Sequence, residues 1–190
     1  EEVLVRQNNT FFLDNLYVDM SVNEQRQLLL TNTTGQDVIW ESSDNSVVMV
    51  DEGGNLKAIA RGSANIKVST IDGKHSRECS VVVKDITDYI TVYCGGASVV
   101  SVNGLIRYGS TFNWHFINGS SNEVKLLSLQ LVDGQTGSAG NELAVDRSVS
   151  PGENVGYTVT VGLMGIHAPV TCRYRYEYNG EVYISEAVYN

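Results

Sequence analysis

The sequence of 190 residues has only two prolines and no run of apolar residues long enough to cross a membrane. A membrane-spanning helix needs about 20 consecutive apolar residues, so the chain is predicted to have no transmembrane segment. Two prolines beside eighteen glycines argue against a rigid proline-rich linker and for many tight turns.

Positive charge is also scarce. Thirteen lysines and arginines stand against 22 aspartates and glutamates, which gives a net charge of −9. Such a chain cannot neutralise a run of phosphates, so we expect no nucleic acid as a partner. The same balance disfavours electrostatic binding to anionic membranes.

The cysteines are few and odd in number. Cys79, Cys94 and Cys172 have neither CxxC nor Cys/His spacing, which argues against a metal site, and three thiols cannot build a disulfide framework. Cys94 and Cys172 are both predicted to face the interior of the second half, where a disulfide between them is geometrically allowed. Because buried free cysteine is a common small core residue, we expect free thiols.

Short alternating stretches of apolar and polar residues, separated by turn residues, make up most of the chain. Ala64, Ile66 and Val68 alternate with polar residues, and Asn179-Gly180 between two such stretches is a strong hairpin signal. No segment has a helical period, so the fold class is predicted to be all-β. With 42% hydrophobic residues the chain can fill a core.

Residues 38–70 carry the most specific pattern. A tryptophan is followed by a serine-rich turn, two valines, an aspartate, a glycine, a small residue, a second glycine and an alternating strand. The residues are Trp40, Ser42-Ser43, Val47 and Val50, Asp51, Gly54, Ala58, Gly62 and Ala64. This order resembles the bacterial immunoglobulin-like domain family, group 2, a module of bacterial surface and adhesion proteins. The resemblance implies an Ig-like sandwich over residues 11–85 with Trp40 in its core.

The polar segment 84–88 is the predicted boundary between two domains, 1–85 and 86–190. In the second, Phe112, Trp114 and Phe116 share one strand face and are predicted to be core. Its layout is loosely similar to other Ig-like and fibronectin type III-like folds. We therefore predict two Ig-like β-sandwich domains in tandem. Tyr174, Tyr176 and Tyr178 are predicted to be core too, with ligand binding at a sandwich rim as the alternative.

No catalytic pattern is present. His75, His115 and His167 are scattered, there is no GxSxG or HExxH motif, and the glycine-rich loop 134–140 lacks a Walker lysine. Several acidic residues lie in turns, as calcium ligands would, but turn aspartates more often cap their own turns. They are Asp44, Asp51, Glu52, Asp72, Asp133 and Asp146. We predict no enzyme, no cofactor and no metal.

The resemblance implies a non-enzymatic cell-surface module, a cell adhesion protein that binds a host or surface partner through loops on rigid sandwiches. The predicted contact residues lie in two loops of the second half: Ser120, Ser121 and Asn122, and Gly134, Gln135, Thr136 and Gly137. Two alternatives stay open. One is a glycan-binding accessory module of a polysaccharide-uptake system, and the other is a structural spacer.

The predicted location is extracytoplasmic, either at the cell surface or secreted. The chain begins Glu1-Glu2-Val3 without a methionine or a signal sequence, so a secretion signal or a lipoprotein-type lipid anchor would lie upstream of it. The expected partner is a protein or glycan at the cell surface.

Overall fold

The computed structural model describes residues 10–190, and residues 1–9 of the first predicted domain lie outside the described part. The chain divides into two compact units, one ending at Asp85 and the other comprising Ile86–Asn190. The all-β prediction is confirmed, since regular structure is β-strand apart from one turn of 3-10 helix, Ile86–Tyr89. Within residues 10–190, no helix has the length and hydropathy that crossing a membrane requires.

The first unit contains short strands in three sheets. The strands are β1 (Phe11–Leu13), β2 (Tyr17–Ser21), β3 (Gln25–Gln27), β4 (Leu30–Asn32), β5 (Val38–Ser42), β6 (Val48–Val50), β7 (Asn55–Ala58), β8 (Gly62–Thr70) and β9 (Ser76–Lys84). The main sheet has the order β2-β9-β8-β5, a second has the order β3-β7-β6, and β1 pairs with β4. In the main sheet β2 runs parallel to β9, with Tyr17 opposite Ser80 and Ser21 opposite Lys84.

These sheets share one core, which the alternation of the strands predicts. Ile66 and Val68 of β8 are fully buried, as are Cys79, Val81 and Val83 of β9 to within 1%. The intervening residues of β9 are more exposed. A period of two along each strand therefore separates core from surface here.

Trp40 departs from its prediction. It is only partly buried and packs against the edge of the core instead of filling its centre. Its ring lies over Gly54, where a Cβ atom would stand 2.8 Å from Cζ2 of the tryptophan. Gly54 has a φ of +76°, a conformation that glycine adopts at little cost. The tryptophan thus closes the turn before β7.

The second unit contains the longer strands. They are β10 (Ile90–Ser98), β11 (Ser101–Val102), β12 (Leu105–Ile106), β13 (Thr111–Asn118), β14 (Val124–Asp133), β15 (Leu143–Val149), β16 (Asn154–Thr160), β17 (Ile166–His167), β18 (Val170–Tyr178) and β19 (Glu181–Tyr189). A three-stranded sheet, β10-β13-β16, faces a four-stranded sheet, β15-β14-β18-β19. A small sheet, β11-β12-β17, lies beside them. The Asn179-Gly180 hairpin is confirmed, with β18 and β19 paired over nine residues.

Aromatic side chains from both sheets fill the second core. Phe112, Trp114 and Phe116 are fully buried, and so are Tyr174 and Tyr176, which confirms the prediction for these stripes. The Phe116 ring lies 5.6 Å from that of Tyr174 and 5.3 Å from that of Tyr176, centroid to centroid. Tyr178 is 4% exposed. The tyrosine stripe is therefore interior and does not form a binding strip.

All three cysteines are free thiols in the structure. Burial raises the pKa of Cys79 to about 11 and that of Cys172 to about 12. The thiolate is the reactive form of cysteine, so these two residues are chemically inert at neutral pH.

Each unit has a hydrophobic core of its own, so we expect each to fold alone. Fragments 1–85 and 86–190 should each give a single cooperative urea transition followed by circular dichroism. A fragment that unfolds gradually, with no transition, would show that its core needs the other half of the chain.

The turn under Trp40 gives a second prediction. Gly54→Ala should lower the free energy of unfolding by more than about 1 kcal/mol because alanine disfavours positive φ. A further ~1–3 kcal/mol should come from the clash of its Cβ with the Trp40 ring and with the carbonyl oxygen of Leu28. Gly73→Ala is the matched control, since Gly73 has a φ of +70° and an added Cβ would meet nothing within 4 Å. Hydrogen exchange of the β8 and β9 amides would measure both variants. Equal losses would mean that the Trp40 contact contributes nothing.

Candidate functional site

An apolar groove opens at one lateral edge of the second unit, between β14 and β16. It has a volume of about 380 Å³. Leu129 and Leu131 of β14 and Val159 of β16 line it from the core side, and Leu143 lies at the start of β15. The other lining residues are Gln130, Gly140, Asn141 and Thr160 to Ile166. Leu129 and Leu131 are themselves buried, at 1% and 8% exposed, so core side chains form the floor of the groove.

The groove exists because the two lateral edges of the sandwich differ. On one side β10 and β19, the outer strands of the two sheets, lie against each other and close the edge. On the other side the outer strands are β15 and β16, which make no comparable contact in the described chain. Among the strands of residues 10–190, β15 pairs only with β14, and β16 pairs only with β13. This edge therefore keeps unpaired backbone groups beside apolar side chains.

The rim of the groove carries two highly exposed apolar residues. Leu163 is 84% exposed and Met164 is 92% exposed, in the connection that follows β16. A glycine stands on each side of the pair, and the amide of Gly165 donates to the carbonyl of Gly162 at 3.0 Å. Leu143, 46% exposed, adds to the same rim. The turn presents both side chains outward where burial would have been favourable.

The predicted contact loop 134–140 lies at the same end of β14 and joins the groove through Gly140. Asp133 anchors this loop. One carboxylate oxygen, Oδ1, accepts hydrogen bonds from the amides of Gln135 at 3.0 Å and Thr136 at 2.7 Å. The other, Oδ2, accepts from the amide of His167 at 2.7 Å and lies 2.8 Å from its ring Nδ1. Gln135 and Thr136 themselves are exposed.

The environment of Asp133 fixes its charge. Burial on its own would raise the pKa of this carboxyl, but the amides of Thr136 and His167 and the His167 ring donate to the carboxylate and hold its pKa well below the ordinary value. Gly134 belongs to the same arrangement, because a Cβ atom there would lie 2.0 Å from the carbonyl oxygen of Pro169. A charged clasp and a close backbone approach therefore fix the loop.

In the other predicted contact loop, the polar groups of Ser120 form hydrogen bonds within the turn itself. Ser120 is 4% exposed, and its amide and hydroxyl both donate to Oδ1 of Asn118, at 3.0 and 2.6 Å. Its side chain is not accessible to a partner, contrary to the role proposed for it from sequence. Ser121 is exposed, whereas Asn122 is partly buried and donates to the Tyr178 hydroxyl at 3.2 Å.

The two loops lie at opposite ends of β14. The turn 119–123 precedes Val124, and the loop 134–140 follows Asp133. Ten residues of strand place them ~30 Å apart. The loop 134–140 therefore follows the end of β14 that lines the groove, and its last residue, Gly140, belongs to the lining, whereas Ser120 to Asn122 lie at the other end of the strand.

Leu163 and Met164 were absent from the predicted site. The signal for them was local: two large apolar residues between Gly162 and Gly165, directly after an alternating strand. Such a pair fits either a continued strand or a turn. Which of the two forms depends on where β16 ends, and the sequence alone does not determine that residue.

The acidic turn residues cap their own turns. Asp44 accepts from the amide and hydroxyl of Ser46, Asp51 from the amides of Gly53 and Asn55, and Asp72 from Thr70 and Lys74. These hydrogen bonds lower the pKa of all three carboxyls. The largest effect comes from the side chain of Ser46 at Asp44, of Asn55 at Asp51 and of Thr70 at Asp72. From residue 10 onward, no cluster of three or more His, Cys, Asp or Glu side chains has the arrangement of a metal site.

Comparison with known proteins places the first half of the chain. Residues 8–81 match the model of the bacterial Ig-like domain, group 2. This segment is a bacterial Ig-like domain. An uncharacterized protein of Clostridium acetobutylicum is 38% identical to this chain over 76 residues, which are 40% of this chain and 19% of that protein. The chain thus spans about a fifth of the length of this relative.

Solved structures similar to the chain cover both the Ig-like domain and the unit that follows it. Domains 5–6 of the S-layer protein SbsC are 12% identical, with a TM-score of 0.35, over 94% of this chain and 96% of that one. Domains EC1-2 of human protocadherin-24 are 14% identical, with a TM-score of 0.36, over 94% and 93%.

The clasp at Asp133 yields a prediction about stability and pH. Asp133→Asn should lower the free energy of unfolding of the second unit by roughly 2–3 kcal/mol at pH 7, because the hydrogen bonds lose a charged acceptor. The folded pKa lies below the unfolded value of about 3.9, so this stabilisation is present above that pH and is lost as the pH falls. The gap between wild type and variant should therefore shrink between about pH 5 and pH 2.

Urea denaturation at a series of pH values would measure this gap. Asp146→Asn is the control, because the Asp146 side chain is 74% exposed and pairs with Lys125 at the surface, where ion pairs contribute about 0–1 kcal/mol. A gap that is absent at pH 7, or one that does not shrink as the pH falls from 5 to 2, would contradict the role given to Asp133.

Proposed function

We propose that this chain is a non-catalytic recognition module of a bacterial surface protein, in which the second unit binds a protein partner at the groove beside the loop 134–140. Membership of residues 8–81 in the bacterial Ig-like family supports the assignment to a surface protein. The Ig-like domain precedes the second unit in the chain, and the groove of the second unit would contact the partner protein. Adhesion is the biological role that this arrangement fits.

The exposure of Leu163 and Met164 on the rim of an apolar groove carries the proposal. Large apolar side chains that are this exposed, at the rim of an apolar groove, mark interaction sites in soluble proteins. Leu163, at 84% exposed, and Met164, at 92%, would be buried if a partner filled the groove. Methionine adapts its shape readily to a partner surface.

The proposed occupant is an extended segment of the partner protein. One edge of β16 has no strand partner in the part of the chain that the structure describes, so its backbone can accept an added strand. Side chains of an added strand point alternately inward and outward, and the inward ones would enter the space between Leu131 and Val159. Main-chain hydrogen bonds would supply affinity, while the groove would select apolar residues at every second position.

The side chains present support the non-catalytic part of the proposal. His167 faces the anchored carboxylate of Asp133, and His115 stacks on Tyr93. The Cys79 and Cys172 thiols are buried, with raised pKa values. Neither histidine is placed beside an activated nucleophile, which acyl transfer by a histidine-based mechanism requires.

Selection of a phage-displayed library of random peptides on the full chain tests the proposal. Enriched peptides should have apolar residues at alternate positions. The double variant Leu163→Asp with Met164→Asp should lose roughly 90% or more of this binding, because it places charge where the apolar rim would be desolvated. Gln135→Ala with Thr136→Ala should weaken it less. The same preparation should show no turnover in a broad hydrolase screen.

The matched control carries Leu16→Asp with Ile71→Asp, at two residues of the Ig-like domain that are 64% and 62% exposed. Its binding should equal that of the wild type. Peptides without alternation, peptides that bind the rim variant equally well, or turnover that His167→Ala abolishes would each contradict the proposal.

A further inference from the structure

The outer face of the three-stranded sheet β10-β13-β16 has no Asp, Glu, Lys or Arg, although the chain carries a net charge of −9. Its two central cross-strand rows are Tyr93, His115 and Gly156, and Gly96, Asn113 and Thr158. The rows on either side contain threonine, isoleucine, asparagine and serine. The inward positions of the same strands build the aromatic core, so this face is a distinct surface.

Two stacked rings stand at the centre of this face. The rings of Tyr93 and His115 are 4.7 Å apart and within 6° of parallel. Nδ1 of His115 lies 3.1 Å from Oδ1 of Asn154, and the Asn154 amide nitrogen lies 3.5 Å from the Tyr93 hydroxyl. The asparagine thus ties the two rings together and holds them in one orientation.

Two glycines make room for the His115 ring on this face. A Cβ atom at Gly95 would lie 2.7 Å from Nε2 of His115, and one at Gly156 would lie 3.3 Å from its Cε1. Gly95 sits where the register of β10 shifts between Cys94 and Gly96. The bulge and the glycines allow the His115 ring to lie across the sheet, with Tyr93 stacked on it and 38% exposed.

We propose that this face binds a neutral glycan, with the exposed side of the Tyr93 ring as the stacking surface. Sugar rings offer C–H groups to an aromatic face and hydroxyls to amides and hydroxyls. The face provides both, because an aromatic ring is an apolar body with a polar tip. This proposal concerns a surface other than the groove and does not depend on the function proposed above.

The hydrogen-bonding groups beside the ring suit a ligand of this class. Oδ1 of Asn113 accepts from the Thr158 hydroxyl at 2.8 Å, which orients the asparagine and directs its amide nitrogen to other acceptors. Asn113 and Thr158 are both exposed. A charged ligand would find no counter-charge among these rows, whereas a neutral polyol needs none.

Affinity gel electrophoresis of the full chain tests the proposal. The probes are soluble neutral polysaccharides: a mixed-linkage β-glucan, a starch-type α-glucan, a mannan, a xylan, a galactan and a soluble chitin derivative that keeps its acetyl groups. Polygalacturonate serves as the anionic comparison. At least one neutral polysaccharide should retard the protein, and polygalacturonate should not.

Tyr93→Ala should weaken that retardation roughly tenfold or more, and Tyr93→Phe should keep most of it because the ring remains. Gly95→Ala should also weaken it, since the added methyl group displaces the His115 ring. Tyr108→Ala is the matched control, a tyrosine of the same unit that is 64% exposed and lies outside these rows. Melting temperatures would verify that each variant is folded.

No retardation by any neutral polysaccharide would overturn the proposal. Retardation that survives Tyr93→Ala in a folded variant would overturn it too, as would stronger retardation by polygalacturonate than by the neutral probes. The groove variant, Leu163→Asp with Met164→Asp, should lose peptide binding and still be retarded by the neutral polysaccharide. The two proposals can therefore fail independently.

Discussion

The packing of Phe116 between Tyr174 and Tyr176 is the contact on which the second unit depends. These rings come from opposite sheets, so their contact sets how closely the sheets approach. The Tyr176 hydroxyl lies 3.2 Å from that of Ser185 on the neighbouring strand, which satisfies a polar group that the core would otherwise leave unpaired. With the sheets held at this separation, β10 and β19 meet along one side, and the side of β15 and β16 stays open.

Strand alternation explains how much of this fold could be predicted. Phe112, Trp114 and Phe116 point the same way because side chains alternate along a strand, whatever the strand pairs with. The hairpin at Asn179 and Gly180 was equally local, since both residues have positive φ, as a two-residue turn requires. The same reasoning applies to Ala64, Ile66 and Val68, which alternate with polar residues and are buried in the first unit.

The features that sequence reasoning missed depend on pairing between distant strands. Trp40 has the pattern of a core residue, but its strand β5 lies at the edge of the main sheet, so its ring covers a turn instead. Ser120 has the composition of a surface loop, but it donates to Asn118, whose side chain in turn donates to the carbonyl of Val149 on β15. The groove has no sequence signature, because it is a gap between two strand edges and not a property of either strand.

Strand β16 supports both proposed surfaces because its side chains alternate. Val159 points toward the groove, and Gly156 and Thr158 point to the outer face. A change at one of these positions therefore alters one surface and leaves the other. The unpaired edge of the same strand adds backbone groups that belong to neither face.

The parallel pairing of β2 and β9 has a mechanical consequence. Strand β2 lies near the beginning of the Ig-like domain and β9 ends it, and the two run in the same direction. Tension along the chain would therefore pull the two strands past each other. The load would be shared by the hydrogen bonds that join Tyr17–Ser21 of β2 to Ser80–Lys84 of β9. These hydrogen bonds would have to break together. In a hairpin opened from its end, by contrast, the bonds break one after another. A domain with β2 and β9 in this arrangement therefore resists extension.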